Sequence, residues 1–471
     1  MTKRNAICLI IPIILFFVAL FVPASTYGMP GLTVTEQRLI AIFIITAAFW
    51  ILEPIPIHAA SVLAITLMLV MISNRGLFVF RGTGDEFGKT LTYVEVLATF
   101  ANPTIMLFTG GFFLAAAATK YKLDMTLARV IMKPFGKHPY MIMLGIMVIT
   151  ALFSMFMSNT ATCAMMLAIL TPVLASFPAE DKVRAALALA VPFAANIGGI
   201  GTPIGTPPNA IGLQFISRIT DMSFAKWMLF GVPYVVVLLF ITWLILRWFF
   251  PTSQKEVNLV IEGKFLKSPK AIIAYIGFAV TVLLWVLGDL HGMNSDVVAM
   301  IPIALFCCTG VITVADMKKM SWDVLWLMAG GIAIGLGMDK TGLLARMVSS
   351  IPFSELSPFW MIVAASFFPL LLSTFMSNTA AANLLMPVFS ALAVGLTGLE
   401  MFGGAPGMLI AVSLSCSLAM ALPISTPPNA LAMATGTVKT KDMAKAGILV
   451  GLIGMVLIIV MLYVCSLTGV L

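Results

Sequence analysis

Apolar runs of about twenty residues recur along the whole chain, separated by short polar segments. Runs of that length match the hydrocarbon thickness of a bilayer, so each predicts a membrane-spanning α-helix. The pattern places spans at roughly 7–23, 35–52, 57–74, 91–119, 185–217, 226–250, 270–288, 295–314, 321–339, 405–437 and 444–468. Two further apolar pairs, 139–177 and 358–396, are too long for one span each. The opening run, MTKRNAICLIIPIILFFVALFVPAS, has the basic, apolar, small-residue order of a secretory signal. In so apolar a chain it reads as a retained first transmembrane helix.

The pattern repeats. FTGGFFLAAAATK (108–120) is matched by LMAGGIAIGLGMDK (327–340) in its glycine pair and final lysine. LAR recurs at 127–129 and 344–346, and FMSNTA at 156–161 and 375–380. IGTPPNA (204–210) is echoed by ISTPPNA (424–430). Chance supplies one such pair. Four pairs in the same order, at a common offset near 220 residues, indicate duplication.

Cation placement orients the halves. With Lys3 and Arg4 in the cytoplasm, 19 of the 27 Lys and Arg residues fall inside, Lys255 among them. This holds only if 139–177 and 358–396 each return to the side they left. The first FMSNTA segment is then entered from the cytoplasm and the second from outside. That makes an inverted repeat, an architecture many secondary transporters share. A turn in water favours Gly, Pro, Asp or Lys. These tips instead offer Ser-Asn-Thr, flanked by Met157 and Ala161 or by Met376 and Ala380. Two re-entrant hairpins with tips buried at membrane depth fit that composition.

Composition excludes a soluble enzyme. The chain is 61% hydrophobic and 10% charged, with mean hydropathy +1.08, where a soluble domain is nearer a quarter charged. The net charge of +8 marks topology, because no basic cluster interleaves with aromatics as nucleic-acid binding requires. Cys8, Cys163, Cys307, Cys308, Cys416 and Cys465 lie in apolar runs without metal or disulfide spacing. His58, His138 and His291 are isolated, and Glu53, Glu95 and Asp323 fall at span ends.

The chemistry therefore sits in the repeated polar motifs. NIGGIGTPIGTPPNA (196–210) breaks one span in its middle, and ALPISTPPNA (421–430) breaks its counterpart. Proline stops a helix by removing an N–H, and glycine permits otherwise forbidden dihedrals. Freed carbonyls suit a small cation, and the N-terminus of the restarting half-helix suits an anion. Such a site contains no Lys, Arg, His, Asp or Glu. Its hydroxyl, carboxamide and carbonyl oxygens suit Na⁺, and its donors suit carboxylate or sulfate oxygens. A dianion at the bilayer centre without counter-charge is costly, and bound Na⁺ relieves that cost. Small polar motifs can also serve only as glue between helices. Four elements duplicated in register argue for a site.

The paired Ser-Asn-Thr motifs, each followed about 50 residues later by Thr-Pro-Pro-Asn-Ala, resemble the divalent anion/sodium symporter family over nearly the whole chain. The resemblance implies an all-α polytopic membrane protein: about eleven transmembrane helices, two re-entrant hairpins and two broken helices in an inverted repeat. It implies scaffold helices from 1–120 and 251–340 and transport elements from 121–250 and 341–471. It further implies a homodimer in lipid, with the transport part moving as an elevator. Carried onto matching positions, a first Na⁺ site uses Ser154, Ser158 and Asn159 with backbone oxygen from Gly205. A second uses Ser373 and Asn378 with backbone from Met376 and Ser425. Substrate carboxylates meet Asn159 and Thr160 from one tip, and Ser377, Asn378 and Thr379 from the other. Thr206, Pro207, Thr426 and Pro427 complete the pocket.

The expected function is Na⁺-coupled symport of C4-dicarboxylates such as succinate, malate or fumarate, with two or more Na⁺ co-transported. A sodium-independent exchanger and a sulfate or citrate carrier are the alternatives within the family. The expected location is the bacterial inner membrane, with the N-terminus cytoplasmic and the C-terminus outside.

Overall fold

The structure, a computed structural model, describes residues 3–178, 180–252, 254, 256, 261, 263–350 and 357–471. Lys255 lies outside them. Among the described residues the chain is helical throughout, with one isolated bridge between Ser73 and Leu91 in place of any sheet. Eight of the described helices are long and apolar enough to cross a membrane. The protein is an integral, multi-pass membrane protein.

Helices α1 (Lys3–Phe21), α2 (Val34–Leu52) and α3 (Ile57–Met71) pack in succession. At the end of α1, Gln37 Nε2 donates to the carbonyls of Ala19, Leu20 and Val22 at 3.2, 3.2 and 2.7 Å. These carbonyls lie where the helix itself supplies no donor. The single run expected over 91–119 divides into α4 (Tyr93–Ala98) and α5 (Pro103–Lys120). Asn102 causes the division: its Oδ1 caps Thr104 N–H at 3.0 Å, and Pro103 occupies the first helical position.

The short α6 (Leu123–Met132) leads to a hairpin of α7 (Pro139–Ser154) and α8 (Asn159–Ser176). The span expected over 185–217 is two halves, α9 (Val183–Gly199) and α10 (Pro207–Ile216), followed by α11 (Phe224–Phe249). The second half repeats this order. It runs α12 (Pro269–Val286), α13 (Gly288–His291), α14 (Ser295–Cys308), α15 (Val314–Met317), α16 (Trp322–Thr341) and α17 (Leu343–Ser349). Then come the hairpin α18 (Pro358–Phe375) and α19 (Asn378–Gly395), the broken pair α20 (Gly404–Ser417) and α21 (Pro427–Ala434), and α22 (Thr440–Thr468).

The two halves interlock. α10 lies against α19 and α20 of the second half, while α21 lies against α8 and α9 of the first. The repeated glycine pairs serve close helix approach. A Cβ on Gly110 would stand 2.6 Å from Ala299 O, where α5 meets α14. A Cβ on Gly330 would stand 2.4 Å from Ser61 Cβ, where α16 meets α3. Glu53 and Glu95 sit at span ends as expected: one caps α2, and the other closes a capping box with Thr92 on α4.

Candidate functional site

The hairpin tips differ in detail from the expected Ser-Asn-Thr turn. α7 ends at Ser154, and the chain turns over 155–157. Ser158 is the N-cap of α8, accepting Ala161 N–H at 3.2 Å, so Asn159 and Thr160 are its first helical residues. Ser377 does the same for α19 through Ala380 N–H at 3.2 Å, so Asn378 and Thr379 open that helix. Serine wins the cap position because its short hydroxyl reaches back to an orphan N–H. Each motif is thus a helix start, with donors aimed past the tip.

The broken helices restart in the same way. Thr206 precedes Pro207 on α10, and Thr426 precedes Pro427 on α21, with proline at the position where the N–H is dispensable. Freed carbonyls find side-chain donors. Asn209 Nδ2 reaches the carbonyls of Gly199, Ile200 and Thr202 at 3.0, 3.3 and 2.8 Å. Asn429 Nδ2 reaches Leu422 O at 2.9 Å. The hydroxyls of Thr202 and Ser425 hold the hairpins by donating to Met155 O and Thr374 O.

A cavity of about 390 Å³ lies where these four helix starts meet. From the first half it is lined by Ser158, Asn159, Thr160, Gly205, Thr206 and Pro207. From the second it is lined by Ser377, Asn378, Thr379, Ser425, Thr426 and Pro427. Ser154, Ser373 and Met376 stand behind the tips, buried. Among the described residues that line it there is no Lys, Arg or His. What favours an anion there is the helix ends, each carrying up to roughly half a unit of positive charge at close range.

Behind each tip a serine hydroxyl joins two oxygens. Ser154 Oγ is 2.7 Å from Asn159 Oδ1 and 2.7 Å from Ala195 O. Ser373 Oγ is 2.7 Å from Asn378 Oδ1 and 2.7 Å from Cys416 O. In the first half, a Cβ on Gly199 would meet Asn159 Oδ1 at 2.7 Å and Gly205 O at 2.9 Å. Oxygens crowd a space that only glycine leaves open, and such a donor set is chemically suited to Na⁺. The second half places Ala419 near the corresponding position, and its break is one residue shorter from Cys416 to Thr426 than from Ala195 to Thr206.

Asn196 was not singled out by its sequence context, and Asp323 reads there only as a span-end residue. Asn196, on α9, lines the cavity and donates from Nδ2 to Thr426 Oγ1 at 3.2 Å and Asn429 Oδ1 at 3.3 Å. Asn196 opens the NIGGIGTP run, which was its one visible signal. Asp323 corrects the expectation of a site without carboxylates. It sits at a span end, in the first turn of α16, and that turn also borders the cavity. An adjoining cavity shares Ser377, Ser425, Thr426 and Pro427 and extends to Glu53 and His58.

The profile of the sodium:sulfate symporter transmembrane region matches residues 3–468. The sodium-dependent dicarboxylate transporter SdcS of Staphylococcus saprophyticus is 30% identical over 464 residues, covering 90% of this chain and 85% of the relative. The SdcS protein of Staphylococcus aureus strain USA300 is 31% identical over 467 residues, again covering 90% of this chain and 85% of the relative. An uncharacterized transporter of Haemophilus influenzae is 30% identical, covering 98% of this chain and 97% of its own. Among solved structures, the Alcanivorax borkumensis YdaH transporter superposes with a TM-score of 0.56 at 12% identity, covering 79% of this chain and 87% of that one. That likeness concerns the fold alone.

Proposed function

The chain belongs to the family of the sodium:sulfate symporter transmembrane region, and from that membership we propose that it is a secondary transporter carrying C4-dicarboxylates together with Na⁺. The observation that carries this reading is the convergence of four helix N-termini on one cavity whose described lining has no cationic side chain. The curated relatives named as sodium-dependent dicarboxylate transporters support the choice of ion and anion.

In this reading one carboxylate of the substrate meets Asn159 and Thr160, and the other meets Ser377, Asn378 and Thr379. Among the described residues the N–H groups of Asn159 and Thr160, and of Asn378 and Thr379, have no protein acceptor, whereas those of Ala161 and Ala380 are capped by serine; the first two of each helix are left for carboxylate oxygens. Thr206, Pro207, Thr426 and Pro427 bound the pocket between them. Na⁺ is cargo as well as counter-charge. Ser154, Ser158, Asn159 and Gly205 O hold one ion; Ser373, Asn378, Met376 O and Ser425 O hold another. Each ion shares its carboxamide with the anion, so anion binding is favourable mainly when the cations are present. More than two Na⁺ per dianion makes transport electrogenic.

The hairpins and broken helices form the moving part and the remaining helices a scaffold that dimerises, with elevator motion between them. With the N-terminus cytoplasmic, Asp323, Glu53 and His58 all lie at the cytoplasmic end of the cavities, so this conformation faces inward. The test is uptake of labelled succinate into proteoliposomes. Uptake should require an inward Na⁺ gradient. Equal uptake with Na⁺ replaced by choline would leave an exchanger, and displacement of succinate by sulfate at lower concentration than by malate would reassign the anion.

A further inference from the structure

Asn196 joins the two halves at one point. Its Nδ2 donates to Thr426 Oγ1 at 3.2 Å and to Asn429 Oδ1 at 3.3 Å, both on the second-half break. The orientation of its carboxamide is fixed by its neighbour. Asn429 spends its own Nδ2 on Leu422 O at 2.9 Å, so its oxygen faces Asn196 and demands a donor there. Asn196 Oδ1 is buried and meets no donor. Thr426 Oγ1 also accepts Asn429 N–H at 3.3 Å. With two donors on that oxygen, the Thr426 hydroxyl hydrogen is free to point into the cavity, where it can donate to an anion.

The residue before Asn196 is Ala195, whose carbonyl accepts from Ser154, the same hydroxyl that holds Asn159 Oδ1. Consecutive residues of α9 therefore touch the first-half oxygen cradle and the second-half anion contact. The second half crosses to the first at a different place: on α20, three residues before Cys416, Ser413 Oγ donates to Pro208 O at 2.8 Å and lies 3.5 Å from Asn209 Oδ1. Cys416 O accepts from Ser373, but the next residue, Ser417, has a buried hydroxyl with no partner.

We propose that Asn196 is a positioning residue that couples Na⁺ occupancy of the first cradle to anion affinity. An ion drawing in Ser154, Asn159 and their neighbours shifts the adjoining turn of α9, and Asn196 passes that shift to Thr426. Ser417, which follows the carbonyl that accepts from Ser373, makes no side-chain hydrogen bond across the halves among the described residues, so the same step is missing behind the second cradle. This rests on the Na⁺ and dicarboxylate reading above.

The test uses the purified full chain and isothermal titration of succinate at zero and saturating Na⁺. In the wild type, saturating Na⁺ strengthens succinate binding. In Asn196→Leu the ratio of the two affinities, with and without Na⁺, should shrink by about tenfold, whatever the affinity at zero Na⁺. Reciprocity requires the succinate-induced gain in Na⁺ affinity to shrink by the same factor. Ser417→Ala should retain the full gain. If Asn196→Leu does not fold, Asn196→Ala, which removes the carboxamide without adding bulk or charge, takes its place.

A full gain in the Asn196 variants, or a proportional loss of affinity at both Na⁺ levels, would overturn the proposal and leave the transport reading intact. A wild type whose succinate affinity ignores Na⁺ would overturn the transport reading, and the coupling with it.

Discussion

Ser154 Oγ lies 2.7 Å from Asn159 Oδ1, and the same hydroxyl lies 2.7 Å from Ala195 O. One hydrogen serves two acceptors, so three oxygens gather around a single proton. A cation replacing part of that arrangement removes a lone-pair repulsion. Ser154→Ala deletes one oxygen and should raise the half-saturating Na⁺ concentration by about tenfold, the effect of one polar contact. Succinate uptake measured against Na⁺ concentration checks this, with Ser373→Ala as the second-half counterpart.

Asn159 and Asn378 each face both the cavity and a buried serine. Alanine at either position removes a carboxamide that the proposed ion and anion share. Uptake should fall by about a hundredfold or more, as expected when two polar contacts are lost together. The variants should still insert and give a monodisperse elution profile. Uptake at the wild-type rate would return these residues to a purely structural role.

Gly199→Ala places a methyl 2.7 Å from Asn159 Oδ1 and 2.9 Å from Gly205 O. Overpacking of this kind costs about 1–3 kcal/mol. The larger consequence is occupation of the oxygen-lined space. Na⁺ should no longer raise the melting temperature of Gly199→Ala, whereas it should raise that of the wild type.

Arg346 on α17 pairs with Glu36 on α2, its Nε 3.0 and 2.9 Å from the two carboxylate oxygens, and its Nη1 donates to Pro30 O at 2.7 Å. Glu36 is buried, and Arg346→Ala would leave its charge without a cation, held only by the two hydrogen bonds from Thr33. Removing one partner of a buried pair costs about 3–5 kcal/mol. The double variant Glu36→Gln with Arg346→Met should be more stable than Arg346→Ala alone, as thermal unfolding in detergent can measure.

The Lys120 ammonium donates to Asp316 Oδ2 at 2.6 Å, and chiefly this bond holds the Asp316 carboxyl down at about 2 from an ordinary 3.8. A lowered carboxyl stabilises the folded state above its unfolded value, and the gain is lost as pH falls through about 2. Acidification from pH 4 towards pH 2 should therefore lower the melting temperature, with little change between pH 5 and pH 8. Lys120→Met should flatten that acid limb. Both side chains are partly exposed, so the effect is small.

Long apolar runs, the twofold repeat marked by four motif pairs, and the two polar motifs were all legible in the linear chain. Hydropathy fixes helices in a bilayer, because a backbone that cannot reach water must bond to itself. The breaks at 196–210 and 421–430 were equally legible, because proline and glycine act locally. The sequence misplaced Ser-Asn-Thr within its turn, since capping by Ser158 and Ser377 depends on which N–H groups the preceding helix leaves free. The division at Asn102 was missed for a similar reason: a cap outweighed a continuous apolar run.

Only the tertiary structure could bring the four helix starts to one cavity, because residues some 220 positions apart meet only when the halves interlock. It alone disclosed Asn196 reaching Thr426, and Asp323 at the rim, since neither residue type nor spacing encodes a contact between elements. Residue chemistry determines which groups can serve an ion. Packing decides which of them share one.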